Sequence, residues 1–172
     1  MDERQFRNAL AEYATGVTIV TALSKSGEKI GMTMTSFNTV SLDPPLVLFS
    51  VGVKALSLDA LREADAYVVN ILARTQENLS NQFARASSDK WAGVHHTEGH
   101  KGAPRLTNAI AQFECEPYAC HEGGDHLIFL GRVVNFRTSD TAAEPLLFFR
   151  GRYHSVAGPR IDVDAWPLPL HY

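Results

Sequence analysis

Cysteine is scarce in this sequence, which carries only Cys115 and Cys120 in 172 residues. Both lie in a segment that alternates like a β-strand, where residues five apart point to opposite faces and lie roughly 16 Å apart. That separation is too large for a disulfide bond. We therefore expect two reduced thiols, rather than a redox pair, in a reducing compartment.

An excess of positive charge is also lacking. The formal net charge is -3, and no basic stripe is present to neutralise a run of phosphates, which argues against nucleic-acid binding. The N-terminal MDERQFRNAL has no apolar run like that of a signal peptide. No segment approaches the roughly 20 apolar residues of a membrane helix. We expect a cytoplasmic protein that binds neither nucleic acid nor membrane.

Several signature motifs are absent. There is no Gly-x-Gly-x-x-Gly or Walker loop and no Gly-x-Ser-x-Gly elbow, so a Rossmann fold, a nucleoside triphosphatase or a serine hydrolase lacks support. His95, His96 and His100 lie close together around Glu98. No helix is predicted to fix them and no second cluster supplies further ligands, so we expect no metal site.

What the sequence does have is a series of short strands, with helices only at the edges. The absence of regular strand-helix-strand alternation argues against a doubly wound sheet, and short turns imply antiparallel neighbours. A closed or split barrel removes exposed sheet edges. Helices are predicted at 2–14, 57–62 and 76–85, the last capped by Thr75, and about eight strands at 17–23, 33–42, 46–51, 66–72, 110–118, 127–134, 146–149 and 153–156.

Two finer expectations concern the segment from residue 86 to residue 118. Residues 86–104 have no periodicity and predict a long surface loop, which in a compact domain is more often functional than idle. Residues 110–118 alternate, with Phe113 and Cys115 predicted to face inward and Gln112, Glu114 and Glu116 to face outward.

Three polar segments are candidates for chemistry. The hydroxyl-rich residues 33–41 suit the rim of a flat ring system, although composition alone favours an exposed strand face decorated with threonines. Gly124-Asp125-His126 places a histidine at the entry to a buried strand, where it can orient a cofactor or exchange a proton, or simply form a turn. Residues 150–154 offer guanidinium forks that suit phosphate, or solvated arginines on a hairpin.

Read in order, the motifs resemble the flavin reductase-like family, the reductase component of two-component flavin-dependent monooxygenases. The matching fragments are YATGVTIVT from Tyr13, GMT from Gly31, SF from Ser36, SLDPPLVL from Ser41, FAR from Phe83, SDKWAG from Ser88, GDH from Gly124 and GRYH from Gly151. The resemblance implies a mainly β protein, an antiparallel split β-barrel of the FMN-binding type. It covers residues 1–156 as one domain, with 157–172 as a C-terminal extension.

The resemblance also implies site residues. His126 is the expected catalytic residue, seating the nicotinamide with help from Tyr153 and His154. Thr33, Met34, Thr35 and Ser36 are expected at the flavin ring and ribityl chain, with Ser50 and Val51 beside them. Lys54, Ala55, Leu56, Ser57 and Arg85 are expected near the phosphate, Lys90 and Trp91 over the bound flavin, and Phe83 and Arg152 in the cofactor site.

The implied function is an NAD(P)H:flavin oxidoreductase that reduces FMN or FAD by hydride transfer. It would act as a homodimer and supply reduced flavin to an oxygenase component. The alternative is a split-barrel flavoprotein that retains its flavin as an electron carrier or oxidase. The sequence distinguishes neither FMN from FAD nor NADH from NADPH.

Overall fold

The computed structural model describes residues 1–86, 89–139 and 143–156. The predicted C-terminal extension at 157–172 and Ser88 of the quoted motif lie outside these residues. The elements are α1 (Glu3–Leu10), β1 (Thr15–Gly16), β2 (Thr18–Leu23), β3 (Lys29–Met34), β4 (Asn38–Leu42), β5 (Pro45–Gly52), α2 (Leu58–Glu63), β6 (Tyr67–Ile71), α3 (Glu77–Ala84), β7 (His96–Glu98), β8 (Pro104–Leu106), β9 (Ala111–Gly123), β10 (His126–Thr138), β11 (Leu147–Phe149) and β12 (Arg152–His154).

Seven strands form one antiparallel sheet in the order β3-β2-β6-β9-β10-β5-β4. In a flat sheet, six strand spacings of about 4.8 Å would separate the outer strands by about 29 Å. The outer strands β3 and β4 are consecutive in the chain, and the link at residues 35–37 spans at most about 14 Å. The sheet must therefore curl, which confirms the predicted antiparallel split barrel.

The link between β3 and β4 is fixed by a side chain. The Ser36 hydroxyl accepts a hydrogen bond from the Ser50 amide on β5 at 2.9 Å and donates to the Ser50 carbonyl at 3.1 Å. Ser36 thus replaces, at one position, the backbone ladder that a neighbouring strand would provide. The link between the outer strands is held against β5.

Three aromatic rings fill the barrel interior. Phe49 and Phe129 stand opposite each other on β5 and β10 and stack at 5.2 Å, and the Tyr67 ring meets both edge-on. The Tyr67 hydroxyl donates to the Leu61 carbonyl at 3.1 Å, and burial raises the pKa of Tyr67 to about 12. This bond fastens α2 to the barrel core.

The described part of the segment 86–104, residues 86 and 89–104, is not a loop throughout, contrary to the prediction. It contains β7, which pairs with β8 at its far end, and it lies on the outer face of the sheet. The anchor is Asn70, which is fully buried: its side-chain amide donates to the Ile19 carbonyl at 2.9 Å, and its Oδ1 accepts from the Leu106 amide and Gln112. A buried amide with these partners holds the segment in place.

The predicted exposure of Glu114 is wrong for the same reason. Glu114 points away from the barrel interior but is only 4% exposed, because this segment covers it. Its carboxylate accepts from Arg105 at 3.4 Å, from Asn135 at 2.9 Å and from the His100 amide. A strand's polar face is exposed only when no loop folds over it.

Other expectations have mixed outcomes. The cap of α3 is Gln76 rather than Thr75, and α1 ends at Leu10 with none of its residues buried. Cys115 is buried and Cys120 exposed, and both are free, as predicted. Across the described ranges, no helix is both long and apolar enough to cross a membrane.

Glu116 provides a test of how the covering segment is held. Its carboxylate bonds Lys101 at 2.8 Å, His100 at 2.9 Å and Arg132 at 2.8 Å. These partners, Lys101 foremost, lower the pKa of Glu116 to about 2. The folded protein therefore favours the ionised carboxylate. The contribution of these contacts to the free energy of unfolding is complete above pH 4.5 and is lost as the pH falls toward 2.

We therefore expect Glu116→Gln to lower the melting temperature at pH 7, with the difference from the wild type shrinking between pH 4.5 and pH 2. Thermal unfolding, monitored by circular dichroism at several pH values, measures this difference in melting temperature. Glu122→Gln, at an exposed position on the same strand, is the control. A difference that does not change with pH would contradict the assignment.

Candidate functional site

A cleft of about 770 Å³ runs along β3, the outer strand of the main sheet. The segment that follows β5 forms one side, and the end of α3 with the Lys90-Trp91 segment forms the other. The lining residues are Gly27, Glu28, Lys29, Ile30, Gly31, Met32, Thr33, Lys54, Ala55, Leu56, Ser57, Ala60, Phe83, Ala84, Ala86, Lys90 and Trp91.

The cleft exposes backbone hydrogen-bonding groups. Within the described residues, β3 pairs with β2 alone, and an outer antiparallel strand directs alternate N–H and C=O groups away from its neighbour. The Gly31 carbonyl meets the Lys90 ammonium at 3.4 Å. A flat ligand with alternating donors and acceptors along one edge matches such a strand.

The rear of the cleft depends on Gly31. A methyl group at this position would lie 2.2 Å from a ring carbon of Phe83 and 3.3 Å from Trp91. Phe83 is fully buried and meets Trp91 edge-on at 5.0 Å. Only glycine allows this approach, because the Phe83 ring has no room to withdraw. Gly31 belonged to a matching motif, but its packing role leaves no signal in a single sequence.

The rim of the cleft is positively charged. Lys29, Lys54 and Lys90 face a single carboxylate from Glu28 among the lining residues. Lys90 is partly buried, which lowers its pKa, and its ammonium donates to the Phe83 carbonyl at 3.0 Å. The Lys29 ammonium lies 5.2 Å from the centre of the Trp91 ring. An anionic group is favoured here.

The structure brings together some of the predicted cofactor residues but not all. Thr33, Lys54, Ala55, Leu56, Ser57, Phe83, Lys90 and Trp91 line the cleft. The Ala55 amide already donates to the Gly52 carbonyl at 2.9 Å.

The remaining flavin-side residues lie elsewhere. Ser36 and Ser50 bond each other at the barrel split, and Thr35 is exposed between β3 and β4. The side chains of Met34 and Val51 belong to the buried core, so they offer a ligand only their backbone. Arg85 lines a separate recess on α3 with Asn78, Asn81, Gln82 and Asp89.

His126 begins β10 directly opposite Gly52 at the end of β5. Its exposed ring lies over Gly52, and its Nδ1 is 2.7 Å from the Asp125 carboxylate. This hydrogen bond lowers the pKa of Asp125, so Asp125 stays ionised and holds the ring. The Asp125 carbonyl accepts from the Val53 amide at 2.9 Å. The histidine is therefore tied to the segment that leads into Lys54 and the cleft.

The β11–β12 hairpin presents its residues on two sides. Arg152 and His154 are exposed, whereas Tyr153 is half-buried and its hydroxyl lies 2.9 Å from Ser80 Oγ. Arg150, one of the two candidate phosphate-binding arginines, instead makes a two-pronged ion pair with Glu12 at 2.6 and 2.9 Å.

The histidines near residue 95 have structural partners. The His96 ring packs against Trp91 at 5.2 Å, and His100 bonds Glu116. Over the ranges that the structure describes, no three His, Cys, Asp or Glu side chains are grouped to hold a metal ion.

Comparison with known proteins decides the family. Residues 10–157 match the family described as the flavin reductase like domain. The chain belongs to this family. It is 38% identical over 167 residues to HsaB of Rhodococcus jostii, named the reductase subunit of a flavin-dependent monooxygenase. The matched residues make up 96% of this chain and 84% of HsaB.

Two further relatives extend the comparison. The chain is 40% identical to the "Probable flavin reductase" of Rhizobium meliloti over 88% of its own length, but spans only 48% of that protein. The solved structure of the Streptomyces globisporus NADH:FAD oxidoreductase SgcE6 superposes with a TM-score of 0.84 at 37% identity, covering 94% of this chain and 91% of SgcE6.

Gly31→Ala tests the packing at the rear of the cleft in this flavin reductase-like domain. Overpacking a filled site costs about 1–3 kcal/mol of unfolding free energy, and displacement of Phe83 and Trp91 should also weaken flavin binding. Urea unfolding and flavin titration measure the two effects. Gly16→Ala is the control, since a methyl group there meets nothing within 4 Å. Equal behaviour of the two variants would contradict the packing role.

Proposed function

We propose that this chain is an NAD(P)H:flavin oxidoreductase that reduces FMN or FAD and supplies reduced flavin to a partner monooxygenase. The observation that supports it most is the cleft, which combines an unpaired strand edge with a lysine-rich rim in a chain of this family. The names of HsaB, a monooxygenase reductase subunit, and SgcE6, an NADH:FAD oxidoreductase, agree with the proposal.

The residues of the cleft fit a flavin. One edge of the isoalloxazine ring alternates carbonyl and N–H groups, which the outer edge of β3 can meet. The Trp91 Nε1–H is buried and has no hydrogen-bond partner among the described residues, although buried donors are normally satisfied. Because this nitrogen has almost no exposed surface, a ligand in the cleft would not reach it unless the ring moved.

The phosphate of the flavin is assigned to the Lys54–Ser57 side of the cleft. Lys54 is exposed at the rim, and the Ser57 hydroxyl can donate to a phosphate oxygen. Lys90 keeps its ammonium at the opposite rim through the carbonyls of Gly31 and Phe83. Arg85 faces another recess, which makes Lys54 the better candidate to neutralise the phosphate.

The protein's contribution to the reaction is geometric. A bound flavin would supply the redox chemistry by accepting a hydride from the reduced nicotinamide. His126 is assigned to the nicotinamide, because Asp125 fixes its ring at Nδ1 and leaves Nε2 free to meet the carboxamide. Arg152 and His154 are assigned to the same substrate, where the guanidinium can bind a phosphate group.

The active form is proposed to be a homodimer. Phe6, Leu10 and Tyr13 of the α1 segment are 51%, 58% and 75% exposed in the single chain. A short amphipathic helix gains most of its stability from burying such a face. A second copy of the chain would cover it.

His126→Ala tests the nicotinamide assignment. We expect the KM for NADH or NADPH to rise about fivefold or more, from the loss of one hydrogen bond, while the flavin dissociation constant stays within error. Stopped-flow nicotinamide oxidation and flavin titration measure the two. His121→Ala, an exposed histidine on the adjoining strand, is the control. A selective loss of flavin affinity in His126→Ala would place the residue on the flavin instead.

Lys54→Gln tests the phosphate assignment by comparing FMN with riboflavin, which lacks the phosphate. We expect FMN binding to weaken about fivefold, because a partly exposed charge pair contributes about 1 kcal/mol, and riboflavin binding to stay unchanged. Flavin fluorescence titration measures both. Lys101→Gln, on the outer face of the sheet, is the control. Equal weakening of the two ligands would contradict the assignment.

Purification of the wild-type protein separates the proposed reductase from the alternative, a split-barrel flavoprotein that retains its flavin as an electron carrier or oxidase. A reductase that releases its product purifies colourless and oxidises nicotinamide in the presence of added flavin. A carrier or oxidase purifies yellow and retains its flavin through gel filtration. Failure to oxidise NADH or NADPH with either FMN or FAD would overturn the proposed function.

A further inference from the structure

Tyr153 belongs to the β11–β12 hairpin but is directed toward α3. Its ring packs on Phe148 at 5.5 Å, and its hydroxyl lies 2.9 Å from Ser80 Oγ and 3.3 Å from Asn81 Oδ1. Ser80 is fully buried. The Tyr153 hydroxyl is therefore occupied by protein groups on α3 rather than directed into the cleft.

The protons in this contact can be assigned. The Asn81 side-chain oxygen can only accept, so Tyr153 donates its one proton to Asn81. The Tyr153 oxygen then accepts from Ser80, which donates its own proton. Among the described residues, the Ser80 hydroxyl has no second hydrogen-bond partner, and a buried hydroxyl without a partner is unfavourable.

A second hydrogen bond continues from Ser80 to the cleft. The Thr33 hydroxyl donates to the Ser80 carbonyl at 2.7 Å. Thr33 has one hydroxyl proton and donates it in this bond, so its oxygen can only accept a hydrogen bond from a ligand. Thr33 lines the cleft. A ligand group that meets it must be a donor, such as the ring N–H or a ribityl hydroxyl of a flavin.

We propose that Tyr153 is a positioning residue that acts through Ser80 to hold Thr33 as a hydrogen-bond acceptor for flavin. Without the hydrogen bond between Tyr153 and Ser80, α3 loses its attachment to the β11–β12 hairpin at Ser80. The Ser80 carbonyl would then shift relative to β3 and release Thr33. The inference rests on the proposed function and reassigns Tyr153 from ligand contact to support of the flavin site.

The test is a double-mutant cycle on the full chain with Tyr153→Phe and Thr33→Val. FMN dissociation constants are measured by fluorescence titration. Each single variant should weaken binding about fivefold, as for one hydrogen bond, and the double variant should be no weaker than Thr33→Val alone. Thr33→Ser, which keeps the hydroxyl, should restore binding. If the dissociation constant of the double variant rises by the product of the two single-variant factors, the proposal is overturned.

Further measurements separate positioning from the alternatives. Tyr118→Phe, an exposed tyrosine on β9, is the matched control and should bind FMN like the wild type. If Tyr153→Phe raises the KM for nicotinamide and leaves the FMN dissociation constant unchanged, Tyr153 contacts the nicotinamide and the proposal is wrong.

Ser80→Ala breaks the same connection from the helix side and serves if Tyr153→Phe does not fold. It should weaken FMN binding by a similar factor and, because it removes a buried hydrogen bond, it should also lower the melting temperature. Normal FMN binding would overturn the proposal. A wild-type protein that binds no flavin would instead refute the proposed function. The two failures are thereby distinguished.

Discussion

The hydrogen bonds between Ser36 and Ser50 are the constraint on which the cleft depends. They hold the link between the outer strands β3 and β4 against β5. Three residues before Ser36 lies Thr33 on β3, along which the cleft runs, and four residues after Ser50 lies Lys54 on one side of the cleft. One serine hydroxyl that both donates and accepts therefore fixes the chain between these two parts of the lining. The edge of β3 itself stays unpaired among the described residues, and it is this edge that a ligand can meet.

The strands were predictable because their apolar residues are dense and their turns are marked. Tyr67–Ile71 and the Leu147–Phe149 hairpin lie close to the predicted ranges. The covering of Glu114 was not predictable, since it depends on Asn70 binding Leu106 across 36 residues. Local patterns report which residues alternate along a strand, but not which loop later folds over its outer face.

The site was predictable to a smaller extent. Resemblance placed Lys54, Lys90 and Trp91 in the cofactor region, and all three line one cleft. Arg85 was grouped with them but faces another recess, because it follows the last residue of α3 and its backbone is extended rather than helical. The role of Gly31 was missed, since a glycine needed for ring packing cannot be told from a glycine in a turn. Proton directions along Tyr153, Ser80 and Thr33 follow only from three-dimensional contacts.

The two sides of the cleft differ in their freedom to change. Phe83 behind Gly31 is fully buried, so that side tolerates few substitutions without loss of stability. On the opposite side, Leu56 is 89% exposed, and a change there disturbs little of the core. Adaptation of this barrel to flavins of different length would therefore accumulate between Val53 and Ser57. Evolution and laboratory selection could retune ligand preference there while the rest of the fold stays the same.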